Sequence, residues 1–217
     1  MSLSTDFIIS NGILEKYNGT SSEVTVPEGV REIGLGAFRH CRSLKSVVLP
    51  NGISGIDSNA FEFCTELTGI TIPNTVMHIG NNAFSACNSL TNVLIPDSVV
   101  SIGISGFSGC YRLTAIILPN GITRIRSCTF FGCSALKTVT IPNSVTSIGN
   151  SAFSDCYNLK CITLSNNITE IGDSAFYGCS SLENITLPNS IKKIGKSVFS
   201  ECTKLHKIEL GRQKSHS

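Results

Sequence analysis

Cysteine and histidine are the side chains best suited to nucleophilic, redox or metal-ligand chemistry, and this chain holds ten of the first and four of the second. Eight of the cysteines stand 23 residues apart: Cys41, Cys64, Cys87, Cys110, Cys133, Cys156, Cys179 and Cys202. Three chemistries compete for them. As disulfides between stacked neighbours, their Cβ atoms would lie about 4.8 Å apart, beyond the usual limit of roughly 4.5 Å. As metal ligands, they lack paired C-x-x-C spacing and bring no histidine in register. As small buried apolar residues they need no partner, and free cysteine is among the most buried residue types. The core reading fits best. Cys128 and Cys161 fall outside the series, and Cys161 sits where a strand would face outward, so it is expected to be the more reactive thiol. So many free thiols suit a reducing or anaerobic setting better than an oxidising secretory route.

The histidines, His40, His78, His206 and His216, occupy different places relative to the cysteines and form no row. No HExxH, GxSxG, P-loop or GxGxxG occurs, and carboxylates do not recur as pairs that could share acid–base work. No enzyme, metal or cofactor is expected. The sequons at Asn18, Asn167 and Asn184 are expected by chance in a chain rich in Ser, Thr and Asn.

What positions these residues is a repeat. A phenylalanine precedes each cysteine of the series by three residues, from Phe38 to Phe199, and a leucine follows by three, from Leu44 to Leu205. A fixed period of this size marks a solenoid or array. Of the 217 residues, 41% are hydrophobic and 15% charged, enough for a continuous core and too apolar for disorder. The net charge is +2, and only Lys192, Lys193 and Lys196 approach a basic cluster, so nucleic acid is not an expected partner. No apolar run nears the roughly 18 residues that span a bilayer, so membrane insertion is not expected. The opening MSLSTDF has neither the basic nor the apolar region of a signal peptide. The repeats stop at Leu210 without a polar capping unit, which solenoids normally need; a fragment of a longer protein, or end-to-end self-association at that uncapped end, is the expectation.

One unit can be read physically. Leu136-Lys137-Thr138-Val139-Thr140-Ile141 alternates as a strand does and ends at Pro142, which cannot pair on both sides. An apolar pair such as Val145 and Ile148 follows, then usually a glycine, suited to a sharp corner or a close backbone approach. Ala-Phe-x-x-Cys-x-x-Leu then places apolar residues at i, i+1, i+4 and i+7, which predicts a short helical turn. Stacking such units at one strand spacing buries a core that no single unit could close. A leucine-rich repeat solenoid is the natural solution; a parallel β-helix is the alternative. Phe7 to Leu14, with Asn11-Gly12 at its centre, predicts a hairpin. The expected organisation is a capping hairpin and half-repeat over 1–25, eight 23-residue repeats over 26–210, and a tail over 211–217.

The units IPNSVTSIGNSAFSDCYNLKCITL and LPNSIKKIGKSVFSECTKLHKIEL closely resemble the BspA-like, or Treponema pallidum-type, leucine-rich repeats, with Pro, Gly, Ala-Phe and Cys all in register. The resemblance implies an α/β repeat solenoid: a right-handed superhelix with a parallel β-sheet on its concave side and short helical turns on its convex side. It also implies a surface location and adhesion to host proteins, the role in which members of that family are often implicated. Departures are few. Ser165 replaces the proline, Asp57 and Arg126 replace the glycine, and Gly106, Thr129 and Val198 replace the alanine. The stretch Arg126 to Thr129 makes the coil over 119–141 the least regular.

Outward strand positions form two rows, and the candidate contact residues are Val48, Thr71, Asn92, Leu94, Ala115, Ile117, Thr138 and Thr140. Val48, Leu94, Ala115 and Ile117 are apolar where water would otherwise be met, which often marks an interaction site, although strand propensity alone also favours β-branched residues there. The expected function is non-enzymatic binding of another protein; a structural or assembly scaffold, intracellular or not, is the alternative.

Overall fold

The structure, a computed structural model, describes residues 6–211. Met1 to Thr5 of the expected cap, His216 and the tail beyond Gly211 lie outside the described residues. Each coil carries two short strands, except that the coil through Thr163 keeps only an isolated bridge in place of the first. The alternating segment before the proline gives the first, as in Ser46–Val48, Gly69–Thr71 and Asn92–Leu94, with only the middle residue buried in Ser46–Val48 and Asn92–Leu94. The apolar pair after the proline gives the second, as in Gly55–Ile56, His78–Ile79 and Ser101–Ile102, whose isoleucine points inward. Both kinds pair in parallel with the same residues one unit on: Val47 with Ile70, Ile70 with Val93, Ile56 with Ile79. Each step along the sequence by one period is therefore one step along the stack.

The third side corrects the expectation of helical turns. Among the described residues there is no helix. Along Gly34 to Leu44 the N–H groups of Ala37, Arg39, Cys41 and Leu44 each bond the carbonyl three residues back, whereas those of Gly36, Phe38 and His40 bond Ser58, Ala60 and Glu62 of the following coil. Alternate amides leave the coil, so the i to i−4 pattern of an α-helix cannot form. Two residues per coil also take left-handed backbone, for example Asn59 (φ 57°) and Phe63 (φ 61°), or Asn82 (φ 53°) and Ala86 (φ 56°). The result is a chain of tight turns whose second left-handed position is glycine at Gly109, Gly132 and Gly178. A Cβ in that region costs roughly 1–2 kcal/mol. Ala86→Gly is therefore expected to stabilise the fold by about 1 kcal/mol, read as a raised midpoint in urea; a lowered midpoint would contradict the turn geometry.

Inside, like residues stack on like. Phe61, Phe84, Phe107, Phe130, Phe153 and Phe176 are fully buried, with successive ring centroids 5.2–5.8 Å apart along this run and planes within 13°. Leucines from Leu44 to Leu182 and the strand isoleucines complete one continuous core. At the N-terminal end Phe7–Ser10 and Ile13–Tyr17 form an antiparallel hairpin turning on Asn11 and Gly12, both with positive φ. Its second strand joins the stack beside Glu32–Ile33, and the Tyr17 ring lies 5.3 Å from Phe38, so the hairpin closes that end of the core.

The corner glycines act by close approach and not by a left-handed backbone. A Cβ on Gly80 would overlap the Ser58 amide of the preceding coil, and one on Gly103 the Asn81 amide. Arg126 stands at this corner in the next coil, and there both ladders part. Asn92–Leu94 is not paired with Ala115–Ile117, nor Ser101–Ile102 with Arg124–Ile125. Other ties are missing at the same seam. Asn81 and Asn150 accept the backbone N–H of Ile104 and Asp173 in the following coils, but Ile104 offers Ser127 no such acceptor. Ser98 and Ser190 donate to carbonyls of the preceding coil, and Gly121 in that row has no hydroxyl. The turn side stays tied, with Ser105, Phe107 and Gly109 bonding Ser127, Thr129 and Phe131. Asp57, also at the glycine corner, keeps its ladder bond to Ile33 at 2.8 Å.

Candidate functional site

All eight candidate residues, Val48, Thr71, Asn92, Leu94, Ala115, Ile117, Thr138 and Thr140, are exposed on the three-residue strands. Strand alternation forces this: with Val47, Val93, Ile116 and Val139 buried, their neighbours must face out. Thr71 pairs with Leu94, Ala115 with Thr138 and Ile117 with Thr140. Leu94 is 76% exposed, Ile117 64% and Val48 59%. The seam brings Leu94 and Ile117 to opposite walls of one cleft of about 470 Å³, lined also by Asn92, Ile95, Pro96 and Ala115. Thr138 and Thr140 edge it one coil further on. Val48, two coils away beyond Thr71, is not part of it. An apolar cleft with a polar margin on an exposed strand face can hold an apolar side chain of a partner; it contains no nucleophile or acid–base pair.

The thiols are placed differently from a purely apolar row. Cys64, Cys87, Cys110, Cys133, Cys156 and Cys179 are fully buried, and each Sγ donates to the carbonyl of the phenylalanine 26 residues earlier, Cys110 to Phe84 and Cys133 to Phe107, both at 3.2 Å. They thus have a hydrogen-bond partner, which the sequence reading did not assign them. Burial pushes the thiols of Cys87 and Cys133 up to about 12, and those of the other four higher than the ordinary range. No disulfide forms among the described residues; Cys128 is half-buried and Cys161 is exposed. Cys161 lies in the coil where Ser165 replaces proline and the strand is reduced to a single bridge, Thr140 to Thr163.

The described histidines are apart. His40 stacks on Phe63 at 4.8 Å, His78 Nδ1 meets Ser101 Oγ at 2.9 Å, and His206 Nδ1 meets the Lys204 carbonyl at 3.1 Å. Among the described residues no group of three or more His, Cys, Asp or Glu side chains is arranged to hold a metal ion, and no helix is long and apolar enough to cross a membrane.

Sequence reasoning overlooked the exposed rings of Tyr111, Phe131, Tyr157 and Tyr177, which lie on the turn side. The signal was available: Phe131 and Tyr177 directly follow core phenylalanines, and Tyr111 and Tyr157 directly follow core cysteines. The Asp155 charge beside Tyr157, hydrogen-bonded to its hydroxyl, pushes that phenol up.

Parallel coils of one repeated unit, stacked on shared rows of Phe, Cys and Leu, define a leucine-rich repeat solenoid. The chain belongs to the BspA-type leucine-rich repeat family, whose description matches residues 9–137 and 100–216 in six copies. Among solved structures it is similar to a leucine-rich repeat protein of T. pallidum, with 29% identity over 94% of this chain and 90% of that one and a TM-score of 0.73. It also shares its fold with a leucine-rich repeat protein from Eubacterium ventriosum, at 22% identity over 93% of this chain and 66% of that one, TM-score 0.53. No curated protein matches the sequence at a significant level.

Proposed function

We propose that the chain is a non-enzymatic protein-binding module that receives its partner on the three-residue strand face, the concave side of a right-handed superhelix. The observation that carries this reading is the cleft between Leu94 and Ile117, where two large apolar side chains stand in solvent on a rigid stack. Large apolar side chains exposed together within a polar rim mark interaction sites. Family membership supports a binding role in general; a surface location and an adhesive role are the extension we draw from it. The partner is another protein, with neither nucleic acid nor a membrane called for by the nearly neutral surface.

Leu94→Asp with Ile117→Asp tests it. Both side chains are exposed, so circular dichroism should be unchanged and stability should stay within about 0.5 kcal/mol of the parent. Capture of proteins from a panel of purified surface and matrix proteins on the immobilised chain should fall at least tenfold, as loss of a hot spot of about 2 kcal/mol implies. Undiminished capture by the double variant removes this face from the interface.

A further inference from the structure

The Lys207–Leu210 strand ends its ladder: it pairs with Asn184–Leu187 on one side and with no other strand among the described residues. Among the described residues nothing covers the core there. Ile208 is 50% exposed and Ile194 47%, whereas their counterparts one coil earlier, Ile185 and Ile171, are buried. Leu210, 76% exposed, occupies the place of Leu187, which is buried. The backbone is open as well. The N–H groups of Val26 and Leu118 bond the following coil, at Val48 O (3.0 Å) and Thr140 O (3.1 Å), and Leu210 holds the same place in the period. Gly211 N–H turns back to Leu187 O at 2.8 Å. Because successive residues of a parallel strand bond opposite neighbours, the N–H and C=O of Ile208 point off the end with those of Leu210.

We propose that a second copy of this chain pairs at this edge, the two Lys207–Leu210 strands running antiparallel about a two-fold axis through Ile208. Ile208 then exchanges two backbone hydrogen bonds with its own counterpart, and Lys207 of each copy falls opposite Glu209 of the other. Opposite charges directly across an antiparallel pair stabilise it, and like charges destabilise it. Within one chain Lys207 Nζ and Glu209 Oε1 already lie 2.6 Å apart, so pairing converts one exposed ion pair into an alternating cluster of four charges. The exposed Ile194, Ile208 and Leu210 are covered in the same step. The opposite end leaves Glu23–Thr25 as the outer strand of this ladder, but there the hairpin pairs beside Glu32–Ile33 and sets Tyr17 against Phe38, so it takes the space in which a second coil would have to seat. A symmetric contact that uses one edge twice closes on itself as a dimer.

Light scattering on the 217-residue chain, over a range of micromolar concentrations in reductant, tests the proposal. The parent is expected at twice the chain mass. Lys207→Glu should give the monomer mass, and Lys207→Glu with Glu209→Lys should restore the dimer, with circular dichroism unchanged throughout because both side chains are exposed. Ile208→Asp should also give the monomer. A monomeric parent, a dimer indifferent to Lys207→Glu, or a folded double charge swap that stays monomeric each overturns the proposal.

Discussion

Raising the pH from about 9 to about 10.5 is expected to unfold the protein in one cooperative step. Six thiols are fully buried, and burial pushes those of Cys87 and Cys133 up to about 12 and the other four well above the ordinary thiol range. In the unfolded chain a cysteine titrates near 8.5. Below that value both states keep the proton and the thiols contribute no pH dependence. Above it the unfolded chain releases protons that the folded chain retains, so stability falls by about 1.4 kcal/mol per thiol per pH unit. Six thiols together remove roughly 8 kcal/mol per unit, against a total stability of about 5–15 kcal/mol. The loss continues until the pH reaches the folded-state values, which the protein does not survive to meet. Circular dichroism during an alkaline titration in reductant measures it. Replacing Cys87 by Ala should make the fall with pH shallower by one thiol's share, even though it lowers stability at neutral pH. A chain still folded at pH 11 would contradict the burial of the row.

Phe107→Ala is expected to cost about 4 kcal/mol, the middle of the range for emptying an aromatic site in a core. Phe107 is fully buried, its ring lies 5.2 Å from Phe84 and 5.8 Å from Phe130, and its carbonyl accepts the Cys133 thiol. The cavity would open between two coils at once, in an architecture whose stability is the sum of units and their interfaces. Phe199, half-buried and stacked among the described residues on Phe176 alone, should cost only about 1–2 kcal/mol when changed to Ala. Urea unfolding of the two variants decides it. Equal costs would mean that the phenylalanines do not share one stack.

The repeating solenoid was legible because each strand writes its burial in alternate letters, and because rows such as Ile70, Val93 and Ile116 recur with the period. The turn side was misread because Ala-Phe-x-x-Cys-x-x-Leu records which side chains are buried, not where the amides point. Phe38, Phe84 and Phe107 spend their N–H groups on the next coil, and that choice leaves no mark in the hydrophobic pattern. Its one trace is glycine at Gly109, Gly132 and Gly178, diluted by His40, Phe63 and Glu201 at the same left-handed position. Exposure of Leu94 and Ile117 follows from alternation, but the cleft between them does not. It arises where the ladders part, beside Ile104, Gly121 and Arg126, three residues that each lack a feature their counterparts supply.

The measurement that bears most directly on the stacked core is thiol alkylation of the native, reduced chain, read peptide by peptide after a short pulse of iodoacetamide. Cys161 should be modified within the pulse, while Cys64, Cys87, Cys110, Cys133, Cys156 and Cys179 stay unmodified until denaturant is added. Modification of Cys110 or Cys133 at the rate of Cys161, in a chain that retains its native circular dichroism, would show that the coils do not close over a common interior.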